Sequence, residues 1–438
     1  MAHVFGVQGL YPKALEYYEK SGQIYRDTQT DKKRGKNGCQ VAIGTNYSNI
    51  ASVYHFQGDY FKALEYHQKC IDVQVVELGP EHPDVAATYT NLAMCYKSQG
   101  DYPKALEYYD KSIEVYLSTL GSGHPDVAMT LNNIGGVHHV QGAYSTALEF
   151  YEKSLAIRKQ VWGEQHSTVA TTYCGIADAF KGQCQDAQAL EYYHKSLDIY
   201  KKELGVNHPH TASVINNIAV MLNNQGDYEG ALESYAKCME IYLATLPPTH
   251  DSIAICYNNI ATVYNNKGNY PEALEQYEKG LEIYINTLGP QHKEVATTYN
   301  NMGNMYKNQG DYPRALELYE KCLDIKLKTL GREHPSVAIT YACLANVCNT
   351  QKRYTLALDY YGRSLAIHLA TNGSEHLHVA VNYSNMASVA KSSGDLKLAL
   401  EYYTQCLGIK ERLLGADHKS TEATVAKIVL VRSMVAND

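Results

Sequence analysis

Nine histidines, His82, His124, His166, His208, His250, His292, His334, His376 and His418, stand 42 residues apart. Histidine at a fixed spacing has to be tested first as a metal ligand or proton carrier. The spacing argues against a metal. Stacked helical copies lie about 10 Å apart, whereas zinc needs its ligands about 2.0–2.1 Å away. His82, His124, His208 and His334 are each followed by Pro, which marks a loop ahead of a helix. The column therefore reads as structural. Cys343 and Cys348 lie on one short helical stretch without matching partners and read as buried thiols. No metal site and no cofactor are expected. The sequence holds no P-loop, no GxSxG, no HExxH and no Rossmann fingerprint. Every copy follows the same packing pattern, so no enzyme is expected. Asn46, Asn372 and Asn382 stand in glycosylation sequons, but the N-terminal stretch MAHVFGVQGLYPKALEYYEK lacks a signal-peptide profile. Eleven Cys without a CxxC pair fit reduced thiols, and the expected location is cytoplasmic.

The same period organises the rest of the 438 residues. Of the aromatic residues 39 are Tyr, five are Phe and one is Trp, a bias that one repeated packing role explains. Ala63, Ala105, Ala147, Ala189, Ala231, Ala273, Ala315, Ala357 and Ala399 form one column, each followed by Leu. A Tyr column runs four residues later, from Tyr109 to Tyr403. Each copy reads as two helices. In the copy at 84–121, Val85, Tyr89, Leu92, Ala93 and Tyr96 have helical spacing, and Gly100 closes the helix. Asp101 is the expected N-cap of the second helix, with Pro103 in its first turn. Glu107 and Lys111 sit at i,i+4 and mark a solvated outer face. One helix pair cannot bury both faces alone, so stacking must supply the core.

Lys and Arg total 39 against 46 Asp and Glu, for a formal charge of −7. No nucleic acid is expected as a partner on this balance. No run approaches 18 apolar residues, so no membrane insertion is expected.

A helix pair with this order of small, apolar and aromatic positions resembles the tetratricopeptide repeat. The residues that carry the resemblance are Tyr89, Leu92-Ala93, Tyr96, Ala105, Tyr109 and Ser112. The 42-residue unit, with NN[IL][AG], QGDYxxALEYYxKSLxI and TLGxxHPxVA, is similar to the repeats of kinesin light chains. The resemblance covers nearly the whole chain. It implies an all-α fold, a right-handed α-solenoid of stacked antiparallel helix pairs, and a non-catalytic adaptor. It also implies protein partners held through peptide segments, with kinesin heavy chain or cargo adaptors among them, and a cytoskeletal, microtubule-linked location. The heptad segment of that family has no counterpart in this sequence. Two other readings stay open: a scaffold of a ciliary or signalling assembly, and the repeat region of a larger enzyme.

The expected organisation is a partial repeat over 1–27, a basic loop over 28–41, nine 42-residue helix pairs over 42–418, and a capping helix and tail over 419–438. Met1–Gly9 aligns with the end of a first helix. The expectation is either a fragment of a longer product or an open half-repeat able to self-associate. Lys32, Lys33, Arg34 and Lys36 form a basic cluster in the loop, read as a flexible polar segment. The copy at 168–205 is degenerate, with Gly175, Cys184 and Asp186 in place of Asn, Gly and Tyr, and reads as a soft point.

In the resembled family the first helices line a concave groove. Its groove positions fall here on four columns of polar residues. Asn132, Asn216, Asn258 and Asn300 form one, and Lys97, Lys181, Asn223, Asn265, Lys307, Asn349 and Lys391 a second. Asn224, Asn266 and Asn308 form a third, Asn304 and Asn346 a fourth. The columns coincide best over 216–349. Asn is a poor helix former, and its amide can pair with the backbone of any extended peptide. The expected ligand is an extended acidic peptide, drawn by the interspersed Lys. The neighbouring Asn column, which contains Asn217 and Asn259, reads instead as a structural helix-to-helix hydrogen bond.

Overall fold

A computed structural model describes residues 11–29 and 37–436. Twenty α-helices and no strands occur among them. The first is α1 (Tyr11–Gln29), and it is followed by nine helix pairs. These are α2 (Asn37–Phe56) with α3 (Tyr60–Leu78), α4 (Pro83–Gln99) with α5 (Tyr102–Thr119), and α6 (Pro125–Val140) with α7 (Tyr144–Trp162). Then come α8 (Ser167–Gly182) with α9 (Asp186–Glu203), α10 (Pro209–Asn224) with α11 (Tyr228–Thr245), and α12 (Asp251–Lys267) with α13 (Tyr270–Leu288). The last pairs are α14 (Lys293–Gln309) with α15 (Tyr312–Thr329), α16 (Pro335–Thr350) with α17 (Tyr354–Asn372), and α18 (Leu377–Ser393) with α19 (Leu396–Leu414), before α20 (Lys419–Val435). The expected loop over 28–41 is shorter than its composition indicated. Residues 28–29 complete α1 and residues 37–41 open α2, because the flanking helical patterns extend into the polar segment. The basic cluster and Met1–Gly9 lie outside the described residues.

The pairs form because each carries its own start and stop signals. Gly100 ends α4 with φ +81°, where a side chain would be strained, and the Asp101 side chain accepts from Lys104 N–H at 3.2 Å. The histidine column supplies the other cap. In eight copies the imidazole Nδ1 accepts from the backbone N–H two residues on, as His124 does from Asp126 at 3.2 Å and His334 from Ser336 at 3.0 Å.

Two compact units arise, one ending at His292 and one starting at Lys293. Each is an all-α solenoid of stacked antiparallel helix pairs. In the first unit α4 touches α6, α6 touches α8 and α10 touches α12, while the second helices are splayed further apart. First helices therefore line the inner side of the curve. The start of this unit reaches its far end: a Cβ on Gly58 would stand 3.4 Å from the His292 ring. That contact leaves His292 only 5% exposed. In the second unit α14 likewise touches α16.

The core repeats with the period. The Ala column from Ala63 to Ala399 is fully buried, and Tyr109, Tyr193, Tyr235, Tyr277, Tyr319 and Tyr361 are buried beside it. Successive repeats are tied by long polar side chains from the second helix. Arg158 donates to the Thr168 carbonyl at 2.7 Å and Thr172 Oγ1 at 2.9 Å; Lys326 does the same to Ser336 and Thr340 at 3.1 and 3.0 Å. Outside, Lys111 pairs with Glu107 at 2.7 Å and lies 4.6 Å from the Tyr108 ring.

Candidate functional site

The inner faces of the first helices hold the expected groove residues, and their side chains have different fates. In the first unit Asn216, Asn223, Asn258 and Asn265 are buried. Asn259 Nδ2 donates to Asn216 Oδ1 at 3.0 Å, and Asn266 Nδ2 donates to Asn223 Oδ1 at 3.1 Å. Asn216 Nδ2 in turn reaches Asn217 Oδ1 at 3.5 Å. These amides form a ladder between α10 and α12. The Asn216 and Asn223 carbonyls are occupied by the protein itself, so packing does account for part of the Asn columns. Asn224 and Asn266 remain exposed.

In the second unit, Asn304 Oδ1 accepts from the Tyr319 hydroxyl and Asn346 Oδ1 from the Tyr361 hydroxyl, both at 2.7 Å. The Oδ1 atoms of Asn300 and Asn349 are buried without a protein donor among the described residues. Lys307 is half-buried, and Asn308 and Asn346 are exposed. The run read as one site over 216–349 is thus divided between two units.

A second stretch of the inner face, on α4, α6 and α8, is built differently. Here Gly175 and Gly182 replace the amides of the Asn217 and Asn224 columns, and Gly135 replaces the usual Ala. A Cβ on Gly135 would stand 2.8 Å from the Tyr151 ring, on Gly175 3.0 Å from the same ring, and on Gly182 2.3 Å from the Tyr144 ring. Lys97, His139, Asp178 and Lys181 share this surface. Burial pulls the Lys97 ammonium and the His139 imidazole below their ordinary pKa values. Lys181 pairs with Asp178 at 3.1 Å. Phe56, Met94, Met129 and Val140 are exposed on the first helices of this part of the unit.

Other singled-out residues have structural duties. Asn46 donates to the Tyr18 carbonyl and Asn382 to the His378 carbonyl, both at 3.0 Å and both buried, which closes two of the three sequons. Cys348 is buried and Cys343 half-buried. No group of three or more His, Cys, Asp or Glu among the described residues is placed to hold a metal ion. No helix among them is long and apolar enough to cross a membrane. Histidine capping escaped the sequence reading because His is not among the usual cap residues. The signal was present all the same, in the invariant one-residue step from His to the helix start.

Stacked helix pairs, self-satisfied between repeats and presenting polar and apolar side chains from one helix of each pair, define a protein-interaction repeat scaffold. The family model of the tetratricopeptide repeat matches residues 42–118, 85–160, 126–202, 168–244, 210–286, 252–328, 294–348 and 336–412, and the chain belongs to that family. A search of curated proteins found no match. Among solved structures, the chain is similar to the nearly identical TPR-like repeats of a candidate kinesin light chain from Podosopora anserina. That likeness has 25% identity over 47% of this chain and 98% of that one, with a TM-score of 0.41. It is similar to BtubC (BKLC) from P. vanneervenii at 19% identity, over 64% and 92% of the two chains, with a TM-score of 0.32. The apo form of RapI is 17% identical over 65% and 97%, with a TM-score of 0.47.

Proposed function

We propose that this tetratricopeptide scaffold is a non-catalytic adaptor that holds extended, acidic peptide segments of partner proteins along the inner faces of its first helices. The observation that carries the reading is the set of exposed polar side chains there, Asn224, Asn266, Asn308 and Asn346, beside lysines Lys97, Lys181 and Lys307. An amide carries two donors and an acceptor, more than one internal hydrogen bond uses. Lysines on a concave wall attract negative charge more strongly than on a flat one. The finer form of the proposal is cargo recognition of the kinesin light chain kind, in the cytoplasm and linked to the cytoskeleton. It rests on the 42-residue repeat motifs.

A proteomic peptide-display selection on the purified chain tests this, run beside an Asn224→Ala/Asn266→Ala variant. Enrichment of acidic, extended motifs that falls on the variant is the expected result. No enrichment on the wild type would move the function to the outer faces.

A further inference from the structure

In five copies the buried hydroxyl of the second-helix tyrosine is answered by a first-helix side chain of the same repeat. Tyr193 meets Asp178, Tyr277 meets Thr262 at 3.1 Å, Tyr319 meets Asn304 and Tyr361 meets Asn346 at 2.7 Å, and Tyr403 meets Ser388 at 3.0 Å. In the α6–α7 repeat the answering position is Gly136. No hydrogen bond among the described residues takes up the Tyr151 hydroxyl. Lys97 reaches across from α4 instead: its Nζ lies 2.8 Å from where a Gly136 Cβ would stand, and the Tyr151 hydroxyl lies 3.8 Å from the same point.

The Lys97 ammonium is half-buried and has no ion pair or side-chain hydrogen bond among the described residues. One helical turn on, His139 Nδ1 is buried without a partner. Asp178, the carboxylate of the next repeat that acts on this ring, is already engaged by Lys181 and Tyr193. Two donors, the Lys97 ammonium and the Tyr151 hydroxyl, therefore face a position from which the acceptor is missing. A half-buried cation without a counter-charge is costly, and a ligand anion would supply one.

We propose that the Gly136 position is an anion subsite, at which Lys97 and Tyr151 together bind one carboxylate or phosphate group of a peptide, with the His139 ring one helical turn away. The bound anion takes the place that the Asp178 carboxylate fills in the next repeat. This rests on the inner face being the peptide-binding surface, and it places the anion on α4 and α6 rather than on the Asn ladder.

The test uses the full chain with fluorescein-labelled hexaglutamate, a phosphoserine-containing counterpart, and inorganic phosphate alone. Gly136→Asp grafts the internal carboxylate of Asp178 into the site. Its Cβ meets the flexible end of Lys97 at 2.8 Å and the Tyr151 hydroxyl at an ordinary contact distance of 3.8 Å, so the Lys97 side chain can yield without backbone movement. Expected is loss of probe binding in Gly136→Asp and a drop of about tenfold or more in Lys97→Met, as for a hydrogen bond to a charged group. Lys201→Met, the same charge change on an exposed second-helix position, leaves affinity unchanged. Tighter binding of the phosphoserine probe assigns the site to phosphate, and tighter binding of hexaglutamate to carboxylate. Equal losses in Lys97→Met and Lys201→Met, or undiminished binding by Gly136→Asp, overturn the subsite. Phosphate titrated alone must also shift the His139 ring resonances in NMR spectra, and their failure to move overturns it as well. A displayed peptide that binds wild type and Gly136→Asp equally would sink the subsite and spare the peptide-binding reading. Shifts at His139 with no peptide ever enriched would do the reverse.

Discussion

Two neighbouring stretches of one inner face, α6–α8 and α10–α12, use the same repeat for opposite ends. Gly175 and Gly182 in α8 stand in the columns of Asn217 and Asn224 in α10. In α10–α12 Asn216 and Asn223 each accept from an amide of the next repeat, at 3.0 and 3.1 Å. In α6–α8 tyrosine rings press against bare glycine backbone, and the buried His139 Nδ1 and the Lys97 ammonium reaching in from α4 are left without partners among the described residues. Polarity on a concave wall is therefore not by itself a sign of ligand binding. What distinguishes the stretches is whether the hydrogen-bonding capacity is already used inside the protein.

The largest expected effect comes from removing the glycine that admits a ring. Gly135→Val places a Cβ 2.8 Å from the Tyr151 ring and 3.2 Å from the Ala147 carbonyl, atoms with no room to retreat. A loss of about 3 kcal/mol is expected, as for overpacking of a core, read by urea unfolding. Gly136→Ala, which meets only the end of Lys97, should stay within about 0.5 kcal/mol of wild type. Equal losses would erase the distinction between the two glycines.

Next in size is the ladder. Asn216→Ala deprives the half-buried Asn259 amide of its acceptor, at about 1–2 kcal/mol. A double-mutant cycle with Asn259→Ala should return a coupling of about 0.5–1.5 kcal/mol. Affinity for hexaglutamate should not change in either single variant. A stable Asn216→Ala protein that no longer binds the probe would return the site to the ladder.

Cys184 adopts φ +59°, a left-handed conformation held by glycine at the matching turn of most other repeats. Cys184→Gly should therefore stabilise the α8–α9 turn by up to about 1 kcal/mol. The readout is slower hydrogen exchange in α8 and α9 only. No gain would mean that the degenerate copy carries no strain at this turn.

The smallest effect is a pH dependence of α6. Burial lowers the His139 pKa in the folded chain, so near and below the ordinary histidine value the unfolded chain binds more protons. Its contribution to stability is complete above that value and is lost as pH falls through it. Exchange protection of α6, corrected for intrinsic rates, should fall between pH 7.5 and 5.5. The amides flanking Asn216 and Asn223 should hold, since the ladder contains no titratable group. His139→Gln should flatten the response of α6, and an unaltered response would assign it to another group.

Much of this was readable from spacing. The helix pairs follow from Gly100, Asp101, Pro103 and the apolar columns, because caps and helical periodicity are local. The Asn259 column was legible as a helix-to-helix bond. The destination of Asn216 and Asn223 was not, because their partners are 43 residues away and an amide looks the same whether it faces a peptide or another amide. Gly136 carried no signal at all: a glycine in a helix reads as a weakness until the Lys97 side chain is seen beside it.

The sequence alone therefore determined the period, the helix boundaries, the buried Ala and Tyr columns and the membership of the tetratricopeptide family. All of these depend on contacts within a repeat or between identical neighbours, which a 42-residue register specifies by itself. Only the tertiary structure decided which polar groups satisfy one another, where the start of the first unit touches His292, and that Lys97 and Tyr151 converge on Gly136 without an acceptor. Those outcomes depend on the distance between side chains from different repeats, and no single register position contains that distance.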